Sequence, residues 1–201
     1  MSQTVSPTEF CVPLKINVQR TNLTAAQFFM LCQENEELRF ELTAQQELII
    51  LPLVGGLDGM RNARLSSRLL GWADKDGTGM AFGSNVGVTF PNGAVRSPDA
   101  FWIEQQQWDA LTKEQKETFA PVCPVFVAEL RSRSEHVSDL HEKMQEYIDN
   151  GARLGWFIDP FEKRVYVYRP GQPVETLDNP SSVNGDPVLP GFVLPVQELW
   201  S

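Results

Sequence analysis

The chain has 201 residues, 42% of them apolar and 21% charged, a balance that suits one globular domain with a sizeable core. Its formal net charge of -9 repels nucleic acid at long range, because duplex affinity comes mainly from phosphate neutralisation, so any nucleic-acid role must be local. No stretch reaches the roughly eighteen uninterrupted apolar residues of a membrane span, and the first residues lack a signal-peptide pattern, so a cytoplasmic protein without membrane contact is expected.

Residues 1–23 read as an N-terminal arm and 24–201 as a single domain. Thr24 is placed to cap a helix through AAQFFMLCQENEE, with Phe28, Leu31 and Cys32 on one stripe, and LRFEL and ELIIL follow as a hairpin. LDGMRNARLSSRLLGWADKD reads as a helix that stops near the glycine-rich DGTG. VGVTF and VRSPDAFWI flank Asn92 and Gly93, a pair that accepts positive φ, which predicts strand, turn, strand. Thr112 caps a short charged helix, and PVFVAEL is the most apolar strand and the expected centre of the sheet. Ser134 or Ser138 opens the helix VSDLHEKMQEYIDN, whose Val137, Leu140, Met144, Tyr147 and Ile148 recur at helical spacing before Gly151. LGWFID, a turn at Asp159 and Pro160, and RVYVY come next, before an irregular arm ending in VLPGFVLPVQELW. The order predicts an α/β fold with one mixed sheet flanked by helices, in which VFVAEL and LGWFID are parallel neighbours joined by a right-handed crossover.

The apolar run VFVAELRSRSE ends in charge. Glu129 and Arg131 are two apart and share one face of a strand with Val125 and Val127. An unpaired ion there costs several kcal/mol, so a partner or a metal is required. Asp99, after Pro98, interrupts another strand. Two carboxylates and a cation on neighbouring strands suit Mg²⁺, which takes one or two carboxylates plus waters and phosphate oxygens, and so suit phosphodiester chemistry. Spacing alone leaves other readings open: a structural ion pair for Glu129 and Arg131, a turn residue for Asp99, a solvent-facing Glu41, a snorkelling Lys143.

Pro98-Asp99, Glu129-Leu130-Arg131-Ser132, Glu142-Lys143 ahead of Tyr147, Trp156-Phe157-Ile158-Asp159-Pro160 and Leu189-Pro190-Gly191-Phe192, with Phe40-Glu41-Leu42 upstream, resemble in order and spacing the Uma2 family, also called DUF820, of the PD-(D/E)XK superfamily. The resemblance covers roughly residues 24–200. It implies a restriction-endonuclease-like fold and a metal-dependent endonuclease acting on DNA, with Asp99 and Glu129 binding Mg²⁺ or Mn²⁺ and Glu41 completing the acidic cluster. Arg131 stands in the superfamily's lysine slot and Lys143, on the following helix, is nominated as a displaced lysine, so that Lys143 or Arg131 would stabilise charge and orient water. By analogy a homodimer is expected. The chain departs from the family after Leu42, where Thr43-Ala44-Gln45-Gln46 replaces a glycine-bearing turn, and near Gly59 or Met60, where a histidine is expected. Those departures, with arginine unable to act as a base, support an alternative: a catalytically inactive binding or regulatory module on a nuclease fold.

Arg61, Arg64 and Arg68 fall on about one helical face and read either as a contact to a phosphate backbone or as a solvated face. Cys11, Cys32 and Cys123 have no metal-like spacing and read as reduced thiols. GTGMAFG has the wrong glycine spacing for a dinucleotide loop, ADKDG lacks the rest of a calcium loop, and His136 and His141 are five apart rather than four.

Overall fold

The computed structural model describes residues 13–200, so Cys11 and most of the expected N-terminal arm lie outside the described residues. In chain order the elements are β1 (Leu14–Asn17), α1 (Ala25–Glu34), β2 (Arg39–Leu42), β3 (Glu47–Leu51), α2 (Gly56–Asp76), β4 (Gly79–Gly83), β5 (Val88–Thr89) and β6 (Val95–Arg96). They continue with β7 (Ala100–Glu104), α3 (Gln105–Asp109), α4 (Lys113–Glu117), β8 (Phe126–Leu130), α5 (Val137–Asp149), β9 (Leu154–Asp159) and β10 (Arg164–Tyr168). The chain closes with β11 (Glu175–Asp178), β12 (Val183–Asn184), β13 (Val193–Leu194) and a helical turn at Val196–Leu199.

Helix ends follow local chemistry. Thr24 and Gln27 form a reciprocal capping box on α1, and Thr112 and Gln115 do the same on α4. Gly77 at φ 70° ends α2, and Gly151 at φ 117° follows α5. The start of α5 differs from expectation. His136 precedes it without a side-chain cap, because Ser134 is hydrogen-bonded to Ser132 instead, and Ser138 already lies inside the helix.

Among the described residues the strands form two main sheets rather than one. A five-stranded antiparallel sheet runs β1-β3-β2-β6-β5, and a six-stranded mixed sheet runs β11-β10-β9-β8-β7-β4. The run VRSPDAFWI is divided between them, with β6 pairing β2 and β5 while β7 pairs β4 and β8. Pro98 has no N–H to give to a ladder, so the chain leaves one sheet there and enters the other. GTGMAFG supplies the edge strand β4, where a Cβ on Gly79 would stand 2.2 Å from the Ile103 carbonyl oxygen, and only glycine allows that approach. LKIN, from the expected arm, pairs with β3 as an edge strand.

The parallel pairing expected of VFVAEL and LGWFID is present. β8 and β9 are parallel, with Glu129 opposite Phe157 and Leu130 opposite Ile158. On one face of this sheet α5 packs Leu140, Met144 and Tyr147 against Phe101, Val127 and Phe157. On the other, Leu65 and Leu69 of α2 meet Trp102, Phe126 and Trp156. Each such side chain contributes roughly 1.5–3 kcal/mol through burial. Strand alternation therefore sets Glu129 on the α5 face, one step beyond Val127. Among the described residues no helix is long and apolar enough to cross a membrane.

Candidate active site

Both sheets deliver carboxylates to the same place. Glu41 projects from β2, Glu129 from β8, and Asp99 stands where the chain passes from β6 to β7. α5 closes the space with Lys143 and Tyr147, four residues apart and so on one helical face. Lys143 Nζ lies 2.9 Å from Glu41 Oε1 and 3.0 Å from Glu129 Oε1, bridging the two sheets. Tyr147 donates its hydroxyl to Glu129 Oε1 at 2.6 Å. Glu41 is 2%, Glu129 3% and Lys143 13% exposed, so these charges are set mostly by one another.

Glu41 is saturated. Its Oε2 faces Arg96 Nη1 at 3.1 Å, while Oε1 accepts from Lys143 and from the Ser97 amide at 3.1 Å. Arg96 also pairs with Glu146 at 2.6 Å. Burial alone would raise the Glu41 carboxyl, yet Lys143 and Arg96 outweigh it and hold it at about 2. Lys143 behaves in kind: burial favours the neutral amine, but Glu129 and Glu41 lift it above its ordinary value, so it stays an ammonium.

Glu129 has the opposite fate. Glu41 and Glu146 match Arg96 and Lys143 charge for charge, which leaves Glu129 as the surplus carboxylate. Burial pushes it up to about 8, Lys143 opposes this, and Asp99 and Glu41 add to it. Asp99 is also raised by burial, since its hydrogen-bond donors are neutral: the Leu130 amide to Oδ2 at 2.9 Å and Asn62 Nδ2 to Oδ1 at 2.7 Å. Glu135 sits in the same pocket, raised by burial, and accepts from the amide and hydroxyl of Ser132 at 2.9 and 2.8 Å. Among the described residues, no three His, Cys, Asp or Glu side chains converge as a ready metal cage. The site offers a pair of carboxylates.

The structure thus brings Glu41, Asp99, Glu129 and Lys143 together and sets Arg131 aside. Arg131 does share the face of Glu129, but its Nη1 is 2.8 Å from Asp159 Oδ2, its neighbour in the next register position on β9. Lys143, read as a snorkelling alternative, is instead the shared cation. Arg61, Arg64 and Arg68 clasp the C-terminal turn. Arg61 donates to the Leu199 carbonyl at 2.9 Å, Arg64 to that of Glu198, and Arg68 to the Glu198 carboxylate at 2.6 Å. Arg96, Glu146 and Asn62 show no local signal in the sequence. Tyr147 stands in the helical stripe and the motif one turn beyond Lys143, where sequence alone assigns it no site role. Where a histidine is expected near Gly59 or Met60, the α2 residue that reaches Asp99 is Asn62, and its buried Oδ1 has no hydrogen-bond partner among the described residues.

No curated protein gives a significant match. A solved structure, described as a "putative nuclease belonging to DUF820" from Anabaena variabilis, superposes with a TM-score of 0.70 at 22% identity, over 82% of this chain and 90% of that one. That likeness shows a shared fold. The profile of the Uma2 family, described as "Putative restriction endonuclease", matches residues 25–197, and with nearly the whole chain inside that match, the protein belongs to the Uma2 family.

Proposed function

We propose that this chain is a metal-dependent endonuclease that hydrolyses phosphodiester bonds of DNA. The observation that carries the reading is the charge imbalance: Asp99 has no ion-pair partner, Glu129 has only a share of Lys143, and the buried Glu135 adds a further carboxyl to the same pocket. A divalent cation would supply what they lack. Mg²⁺ or Mn²⁺ fits two carboxylates with waters and phosphate oxygens completing its shell. Glu129 Oε1 carries both the Tyr147 and the Lys143 contacts, and among the described residues Oε2 forms no hydrogen bond. Glu41 would have to give up Lys143 or Arg96 to act as a ligand, so its part is to hold those cations in place.

A divalent cation held by Asp99 and Glu129 would supply Lewis-acid polarisation of the phosphodiester and acidify the attacking water. Lys143, kept protonated by its two carboxylates, offers a fixed positive charge to the oxygens on which negative charge develops. Tyr147 orients Glu129 through its hydroxyl, and Asn62 orients Asp99. Arg131 serves Asp159 and shapes the turn after β9. The family and the shared fold support the nuclease class, and the carboxylate pair supports the metal.

Cleavage of supercoiled plasmid with Mg²⁺ or Mn²⁺ tests the reading. Nicking should require metal and vanish in Glu129→Gln and Asp99→Asn while circular dichroism stays native. Cleavage that survives both substitutions would overturn the assignment. Metal-independent DNA binding without turnover would favour the inactive module.

A further inference from the structure

At the C-terminal ends of β8 and β9 the acidic character of the molecule reverses. Three guanidiniums, two from the segment after β8 and one from α2, converge on one ring: Arg133 lies 4.7 Å from the Phe161 centroid, and Arg61 and Arg131 lie 5.5 Å from it. Phe161 is fixed by the turn it occupies, where Asp159 Oδ1 accepts the amides of Phe161 and Glu162 at 2.9 and 3.1 Å. Beside the ring is a concavity of about 630 Å³, lined by Arg61, Arg133, Lys163 and the first residues of α2. Asp58, the one acid among the described residues lining it, is already engaged by Arg61 at 2.9 Å.

Arg61 and Arg131 have carboxylate partners in Asp58 and Asp159, and the aromatic face offsets part of the remaining crowding of positive charge. Further positive potential comes from α2, which begins after Gly55 with no side-chain cap, so its first amides point outward at the positive end of the helix dipole. A Cβ built on Gly55 or Gly56 would meet nothing within 4 Å, so no side chain crowds the start of this helix.

Position ties this concavity to the carboxylate pair. Asp58 lines both spaces, and Arg133 stands between Ser132 and Ser134, which line the pocket of Asp99 and Glu129. Along α5 a groove of about 810 Å³ carries Glu47, Glu142 and Asp149 beside the paired Asp139–Lys15 and Glu146–Arg96, so its acids outnumber its cations and it is unfavourable to a polyanion. A polynucleotide coming over Phe161 meets cations instead.

We propose that the Phe161 concavity binds a backbone phosphate of the strand to be cut, through Arg133, Lys163 and the α2 amides; the identity of the polymer rests on the nuclease reading above. Arg133 and Lys163 are exposed, so their charge can be reversed with the fold intact. The measurement is fluorescence anisotropy of a labelled DNA duplex and of its single strand, in EDTA, with the full chain. The Arg133→Glu, Lys163→Glu double variant should bind at least about tenfold more weakly, and its salt slope should fall by about 1.5 to 2, the share of two phosphate contacts. Lys75→Glu with Lys113→Glu, an equal change of net charge elsewhere, should lose no more than about twofold, as expected of a screened distant charge.

Equal losses in the two double variants, or none in the first, would overturn the proposal. So would native protein that binds pyrophosphate through Arg133 and Lys163 by calorimetry but no polynucleotide, since the site would then take a free phosphate. DNA binding that needs Arg133 and Lys163 in a chain that never cleaves would uphold this site and sink the nuclease reading. Cleavage that needs Glu129 but is indifferent in affinity to both cations would do the reverse.

Discussion

Glu41 and Glu129 reach the same ammonium from two different sheets, yet one carboxyl is held at about 2 and the other pushed up to about 8. They are almost equally buried, so depth does not separate them. What does is the supply of cations: Glu41 has Arg96 in addition to Lys143, whereas Glu129 shares Lys143 and faces Asp99. The half of the site around Glu41 is a closed ion network that holds the two sheets and α5 together. The half around Glu129 is left short of positive charge, which a metal would supply under the function proposed above.

Removing one member of the closed half should do the most damage. Glu41→Gln leaves Arg96 and Lys143 without a shared partner and should cost about 3–5 kcal/mol. For a chain of this length that is a fall in Tm of roughly 6–20 °C, read by thermal denaturation. The same substitution frees Lys143 for Glu129, so the pKa of Glu129, followed by carboxyl NMR, should drop from about 8. A protein as stable as the native one would mean that the network is not closed.

Glu129 should show the opposite sign. Its folded pKa is raised from 4.5 to about 8, so the fold favours its protonated form. The resulting stability is fully present below pH 4.5 and is lost as pH rises through about 8. Without divalent metal, Glu129→Gln should therefore match the native protein below pH 4.5 and exceed its Tm by several degrees above pH 8. Added Mg²⁺ should erase that advantage by stabilising only the native carboxylate. Parallel pH profiles for the two proteins would refute the imbalance. Glu41, held at about 2, contributes stability above its ordinary 4.5 that disappears only as pH falls toward 2.

The smallest effect belongs outside both halves. Arg68 and Glu198 are 51% and 39% exposed, so Arg68→Ala should change stability by less than about 1 kcal/mol and leave DNA affinity unaltered. A large loss of binding would return the α2 arginines to the nucleic-acid surface.

Much of this was legible from short-range pattern. Capping boxes at Thr24 and Thr112, the helical stripe of Leu140, Met144 and Tyr147, and the parallel pairing of β8 with β9 follow from rules that act over a few residues or one crossover. The acidic residues that converge, Glu41, Asp99 and Glu129, were nominated by motif before any geometry. The division of VRSPDAFWI between two sheets was hidden because the polar Ser97-Pro98-Asp99 read as an interruption within one strand, whereas it separates two ladders. The strand in GTGMAFG was masked by its glycines.

Which cation serves which carboxylate was decided only in three dimensions. Arg131, two residues from Glu129, goes to Asp159 because the β8–β9 register sets them side by side. Lys143 meets Glu41 across 102 positions of sequence, and Arg68 meets Glu198 across 130. Secondary structure reflects preferences of adjacent residues, which a sequence states directly. Ion pairing depends on distance through space and on the dielectric around the pair, and neither exists until the sheets and helices have packed.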